Sequence, residues 1–414
     1  MKEEILKNLN NPNLLERLYR NNKATFKKEF NLLFSQIQDN PTAQVWNERL
    51  NFYEENTSLK SNNELLFIFI ASLIAGLIAK IPQLFSVQSD FFYSRNCAFI
   101  VFPLLTAYFA WRKGIPIKKG ILVSFSMLTA IIFINLFPDK SKSDTLVLSC
   151  IHLPLFLWAL LGYTFVGDQF KNYTKRVDFL RYNGDLVVMT TLIVIAGALL
   201  TGITIGLFSL IHVEISEFYF KYIVVWGLAA SPIVATYLVQ TNPQLVNRVS
   251  PIIAKVFTPL VLITLVAYLI AVIGKGKDPY NDRDFLFIFN MLLIGVMAII
   301  FFSIAETSKH SESKIGTLLL LALSLVTILI NGIAISAILF RISEWGITPN
   351  RLAVLGGNIL ILTNLLVVSY SLFNAFRDKN KIENVEKSIA KFLPLYSYWT
   401  ICVTFIFPLL YNFN

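Results

Sequence analysis

From residue 64 onward, apolar residues come in long runs; before it, they come as short stripes at helical spacing. The runs place eleven spans, at about 65–85, 93–111, 119–137, 145–166, 186–211, 219–240, 252–274, 285–305, 316–340, 352–373 and 393–412. Most of them reach the ~20 residues that cross ~30 Å of hydrocarbon. Arg95 and Asn96 interrupt the second span near its start, and the last span is short. The pattern predicts an all-α, polytopic membrane protein of about eleven transmembrane helices, with residues 64–414 as its multi-span domain.

Residues 1–63 are patterned differently. Phe26, Phe30, Leu33, Phe34 and Ile37 recur at helical spacing, and so do Trp46, Leu50 and Tyr53. Asn13 and Glu16 stand at capping-box spacing, and Asn40-Pro41 reads as an N-cap followed by a first-turn proline. The stretch predicts three or four short amphipathic helices forming a small cytoplasmic region. About sixty residues make a marginal core. The aromatic faces are therefore expected to pack on each other and on membrane-side loops, to meet a protein partner, or to lie on the membrane surface.

One connection within the apolar part combines charge, aromaticity and helix punctuation: Arg341-Ile342-Ser343-Glu344-Trp345-Gly346-Ile347-Thr348-Pro349-Asn350-Arg351. Arg341 falls in the last turn of one helix, where a cation suits the dipole. Gly346 fits the C′ position, Thr348 the next N-cap and Pro349 the first helical residue. Ile347 and Leu352 have the spacing of a hydrophobic staple. Trp345 is a ring suited to a membrane interface. Arg351 is out of place, because a cation at N3 opposes the dipole by about 0.3–1 kcal/mol. Glu344 is the nearest candidate to compensate it. Two readings follow. Arg341, Glu344, Trp345, Thr348 and Arg351 form an anion or ligand site with the new helix's free N–H groups, or the two arginines are interfacial anchors.

The Trp345, Gly346, Ile347, Thr348 and Arg351 pattern resembles an aromatic-Gly-Ile/Leu-Thr-x-x-Arg signature. That signature lies between two late transmembrane helices in bacterial multi-pass membrane proteins grouped as domains of unknown function. The resemblance implies a bacterial inner-membrane location and no particular activity. It rests on these residues and not on the N-terminal region.

The chain of 414 residues is 55% hydrophobic, above a typical soluble domain. Its net charge of +10 does not call for nucleic acid. With the N-terminus placed inside, the cytoplasmic loops carry seventeen Lys and Arg and the opposite loops nine. By the positive-inside rule this puts the N-terminus in the cytoplasm, the C-terminus outside and the Trp345 hairpin on the outer face. Met1–Asn10 is charged and lacks the apolar core of a signal peptide. Cys97, Cys150 and Cys402 lie in apolar segments without metal or disulfide spacing.

Charges inside the spans are few, and no Asp or Glu lies mid-span. Lys80 lies late in the first span and is expected to snorkel outward. His152 sits beside Pro154 in the fourth, where a hydrogen bond within the bundle is the ordinary role. Asn290, Asn331, Asn358 and Asn364 lie in spans eight to ten, either as a polar path or as interhelical hydrogen-bond partners. Gly356-Gly357 permits close helix approach. The loop Lys275–Asp284 holds three aspartates, but their spacing matches no calcium loop.

No Walker loop, Gly-x-Ser-x-Gly, His-Glu-x-x-His or Cys-x-x-Cys occurs, and there are only three histidines. The expectation leans away from an enzyme, with no catalytic residues, cofactor or metal. Three functions stay open. The first is transport or handling of a small or lipid-like, anionic substrate. The second is a scaffold or signalling component that binds partners through residues 1–63. The third is an enzyme acting on a lipid headgroup. The expected surroundings are the bilayer, an anionic lipid or small-molecule ligand, and a protein partner.

Overall fold

The computed structural model describes residues 1–51, 54–138, 140, 143–242, 249–274, 280, 283–307, 314–378 and 381–414; at 24, 51, 54–62, 249–250, 271–273, 283–288 and 306–307 it describes the backbone alone. The readings placed on Tyr53, Arg248, Asp278, Asp282, Lys309 and His310 lie outside the described residues. Every regular element among the described residues is helical. The chain divides into two compact units, Met1–Phe67 and Ile68–Asn414.

The first unit contains α1 (Lys2–Lys7), α2 (Pro12–Asn21), α3 (Lys23–Ile37), α4 (Pro41–Asn51) and the start of α5 (Glu54–Ala79). Asparagines start three of these helices. Asn11 accepts from the Leu14 N–H at 3.3 Å, Asn22 from Thr25 at 3.1 Å and Asn40 from Thr42 at 2.8 Å. The cap of α2 is thus Asn11, not Asn13. Pro12 has no N–H to lose and takes the first helical position, which pushes Asn13 into the first turn. Phe26, Phe30, Leu33 and Ile37 on α3 pack with Ile5, Leu15 and Trp46. The Phe26 and Tyr19 rings lie 5.1 and 5.4 Å from Trp46.

Glu16 closes this unit with ion pairs to Arg20 at 2.8 Å and Arg49 at 2.9 Å. The hydrogen bonds from Arg20 and then Arg49 hold its carboxyl below the usual carboxylate range. A depressed carboxylate contributes stability that is full above its ordinary pKa and is lost as pH falls through the folded value. Hydrogen-exchange protection of peptides from 12–51, corrected for intrinsic rates, is therefore expected to drop on acidification. Glu16→Gln should flatten that dependence. Equal acid sensitivity in both proteins would exclude Glu16 as the titrating group.

The second unit begins with the rest of α5, then α6 (Ile81–Leu84), α7 (Ser89–Asn96) and α8 (Phe102–Lys113). The membrane-length elements follow: α9 (Ile117–Asn135), α10 (Asp144–Val166), α11 (Tyr173–Leu210), α12 (Ser216–Phe218) running through a π turn into α13 (Val225–Thr241), α14 (Val249–Gly274), α15 (Arg283–Thr307), α16 (Lys314–Trp345), α17 (Pro349–Arg377), and α18 (Ile382–Ile401) running through a second π turn into α19 (Phe407–Leu410). Among the described residues, eight of these stretches are long and apolar enough to cross a membrane, and Asn63–Ala79 and Phe289–Ala305 are shorter apolar helices. The architecture is that of a polytopic helical membrane protein. The run at 93–111 is not one helix: α7 stops at Asn96 and α8 restarts at Phe102. Reciprocal amide hydrogen bonds at 2.8 and 2.9 Å between Asn96 and Asn135 tie that break to α9.

Prolines sit inside several apolar helices, and each deprives the carbonyl four residues earlier of its helical donor. In a bilayer such a carbonyl needs another partner. Ser231 supplies one to Leu228 before Pro232, at 2.9 Å. Buried Ser149 of α10 supplies one to Thr404 before Pro408, at 2.9 Å. Arg176 of α11 supplies one to Ala390 before Pro394, at 3.0 Å. The last two bonds join helices far apart in sequence, so the prolines become docking points.

Lys80 does not snorkel outward. It is 4% exposed, donates to the Lys221 carbonyl in the first π turn and lies 4.6 Å from the Tyr222 ring centroid. The carbonyl it meets lies in a π turn, a local change of helical winding.

Candidate functional site

The 341–351 hairpin folds as its punctuation suggests. Gly346 ends α16 with φ +77°, a left-handed conformation that costs a Cβ-free residue little. Thr348 Oγ1 accepts from the Arg351 N–H at 3.3 Å, and Pro349 opens α17.

The Arg351 side chain folds back instead of reaching Glu344. Its Nη1 donates to the Trp345 carbonyl at 2.9 Å and the Gly346 carbonyl at 2.6 Å. A cation at the wrong end of α17 is thus at the right end of α16, where carbonyls lack intrahelical donors. Arg341 and Arg351 both lie 5.7 Å from the Trp345 ring centroid. Arg341 Nε also donates to the Tyr280 carbonyl at 2.8 Å, so Tyr280 meets this hairpin through its backbone. Glu344 is exposed and forms no ion pair with either arginine among the described residues. The structure brings Arg341, Trp345, Thr348 and Arg351 together as a stacked, self-capped turn.

Asn331, Asn358 and Asn364 are buried and Asn290 is half-buried, all on α15–α17. Asn331 Nδ2 on α16 donates to the Asn358 carbonyl at 3.0 Å. Asn358 Nδ2 on α17 donates to Asn290 Oδ1 on α15 at 2.8 Å. Three helices are joined by one chain of amides. Asn364, one and a half turns further along α17, donates to the Tyr396 hydroxyl on α18 at 3.1 Å. Ser369 donates to Ser324 at 2.9 Å and extends the polar line. From Asn358 to Ser369 the seam runs ~16 Å along the helix. Apolar side chains such as Leu323, Ile330, Ile361 and Leu365 enclose it.

Two acceptors in this seam have no donor. Asn331 Oδ1 and Asn364 Oδ1 are unpartnered, and both residues are 0% exposed. The orientation of Asn331 is fixed, since only its nitrogen can donate to a carbonyl. The Trp399 Nε1 on α18 is a buried donor likewise without a partner.

Sequence reading missed a second polar centre. Arg181 is 8% exposed on α11. Its Nε donates to the Ala305 carbonyl near the end of α15 at 2.9 Å. Its Nη1 pairs with Asp178 at 2.9 Å, and its Nη2 stands 3.6 Å from Glu386 of α18. Asp185, also 8% exposed, follows one turn on along the same helix face. Apolar residues alone start this helix at 186 and place Arg181 in a loop. The 178, 181, 185 spacing, interleaved with Val177, Leu180 and Val188, is the helical signal that would have found it. His152 hydrogen-bonds the Leu148 carbonyl at 2.9 Å, one turn back on its own helix. No cluster of three metal-ligating side chains occurs among the described residues.

Comparison with protein-family profiles, curated proteins and solved structures finds no match to this chain.

Proposed function

We propose that this chain is a bacterial inner-membrane protein that handles a small polar substrate along the asparagine seam of α15–α18, with its N-terminus in the cytoplasm. The observation that carries the reading is the pair of buried, donorless amide oxygens on Asn331 and Asn364. A buried polar atom left unpaired costs about 1–3 kcal/mol. Two in one apolar bundle are accounted for if a bound group supplies the donors. Orphaned acceptors select hydroxyl, ammonium or a small cation over an anion. At the hairpin, by contrast, Arg351 already spends donors on two carbonyls, and this favours an interfacial anchor there.

Eleven crossings follow if the shorter helices Asn63–Ala79 and Phe289–Ala305 and the broken α7–α8 element also traverse the bilayer, with the eight longer stretches. Cysteines introduced at Lys119 and Lys277, in a background lacking Cys97, Cys150 and Cys402, are expected to label from opposite sides of sealed vesicles. Labelling of both from one side refutes this topology.

The seam itself is tested in the same background. Cysteines at Asn331, Asn358 and Asn364 should react with a small membrane-impermeant thiol reagent, and a cysteine at lipid-facing Leu329 should not. Unreactive seam positions would mean that the asparagines only hold helices together.

A further inference from the structure

A groove between α8 and α9 lies apart from the asparagine seam and encloses about 360 Å³, within the range of ligand sites, ~300–1,000 Å³. Pro103, Thr106 and Ala110 line its α8 side, and Gly120, Ser124 and Ile131 its α9 side. Both sets recur at three- and four-residue steps, so each is one helix face. Small residues at the mouth, Ala110 and Gly120, leave the space open. The outer face of α9 beside it is apolar and exposed at Ile121, Leu122 and Phe125.

The groove is graded along its length. At its mouth the α8–α9 turn carries Arg112, Lys113, Lys118 and Lys119. Two carboxylates lie nearby, Asp168 paired with Lys119 and Asp178 close to Lys113, with Lys175 beside it; Arg112 donates to the Tyr108 hydroxyl and the Gln240 carbonyl. The turn keeps a positive excess, and Lys118 is exposed. Four residues deeper on each helix, ~6 Å at 1.5 Å per residue, stand Thr106 and Ser124. Thr106 is 4% exposed and its hydroxyl has no partner. Beyond that step the lining is apolar down to Ile131, ~16 Å from Gly120.

The geometry points to a binding site for one anionic phospholipid. The basic turn holds the phosphate, the Thr106 hydroxyl donates to an ester carbonyl, and an acyl chain fills the apolar floor. Cation, buried hydroxyl and hydrocarbon follow one another in the order in which a phospholipid presents phosphate, ester and chain. Basic residues at a membrane surface attract anionic lipid. A free fatty acid would satisfy the floor and the rim but would leave Thr106 without an ester.

The test uses the full-length protein in detergent, given equal amounts of phosphatidylglycerol and phosphatidylcholine and read by native mass spectrometry. One phosphatidylglycerol should be retained, with at least tenfold preference over phosphatidylcholine. Gly120→Leu fills the groove, and a Cβ at Gly120 meets only Ile115 Cδ1 at 4.0 Å. This variant should unfold at the parent temperature and lose the adduct at least tenfold. Lys113→Gln with Lys118→Gln should lower the preference severalfold while a lipid is still retained. A phosphatidylglycerol carrying a photoreactive acyl chain should cross-link to peptides within 103–131 of the unmodified chain. Equal retention of the two lipids, an undiminished adduct in Gly120→Leu, stronger retention of added oleate, or cross-linking confined to other peptides would each overturn the proposal.

Discussion

Gly356→Ala is expected to destabilise the protein although it adds only a methyl group to a helix. A Cβ at Gly356 would lie 2.1 and 2.3 Å from Cη2 and Cζ2 of the Trp399 indole, which sits in the notch on α17. Trp399 also meets Phe407 edge-on at 5.9 Å, so moving the ring disturbs α19 beyond the second π turn. Overpacking of this kind costs ~1–3 kcal/mol, while alanine regains ~1 kcal/mol of helix propensity. The clash falls at the severe end, and a net loss of about 1–2 kcal/mol follows. Gly332→Ala is the matched control. It lies mid-helix in α16 with nothing within 4 Å of a Cβ, and should be neutral or stabilising by up to ~1 kcal/mol. Thermal unfolding in detergent separates the two. Adding Trp399→Leu to Gly356→Ala should return part of the loss. A Gly356→Ala protein as stable as the parent would show that the indole moves freely.

Helix content and the punctuation of single turns were legible in the amino-acid order, because both are set within a few residues. Gly346, Thr348 and Pro349 act within one turn, and apolar runs such as 316–340 announce themselves by length alone. Partner choice was not legible. Arg351 looked misplaced when judged against its own helix; its role appears only once the end of α16 folds back against it. Lys80 lies late in an apolar run as a snorkelling lysine would, yet the carbonyl it donates to lies in a π turn at Tyr219–Val224, 141 positions away. The asparagines were visible as polar residues in apolar helices. That three of them link into one chain depends on the register of α15, α16 and α17, which no single helix encodes. The Arg176 bond to Ala390 spans 214 positions and follows from Pro394, a residue the sequence marks only as a helix perturbation.

Arg181→Met is expected to have the largest effect of any single substitution named above. Arg181 joins α11, α15 and α18 through the Ala305 carbonyl, Asp178 and Glu386. Glu386 is itself only 8% exposed. Removing the guanidinium takes a cation away from a buried carboxylate and a donor away from a helix-terminal carbonyl. Breaking one side of a buried ion pair costs ~3–5 kcal/mol, a large fraction of the stability of a typical protein. Methionine keeps the stem's packing, so the loss reports on the charge and its hydrogen bonds. Arg181→Lys keeps the charge but has one nitrogen to serve three directions, and should fall in between. Glu386→Gln alone should cost less, because it removes only an ion pair at 3.6 Å and leaves the hydrogen bonds of Arg181 to Asp178 and the Ala305 carbonyl in place. The double variant Arg181→Met with Glu386→Gln should be more stable than Arg181→Met, since a neutral amide costs less to bury than a carboxylate that has lost this cation. Fluorescence-detected size exclusion after heating ranks the four proteins. If Arg181→Met unfolds at the parent temperature, or if the double variant loses the sum of the two single losses, the three helices are held by packing and not by this charge.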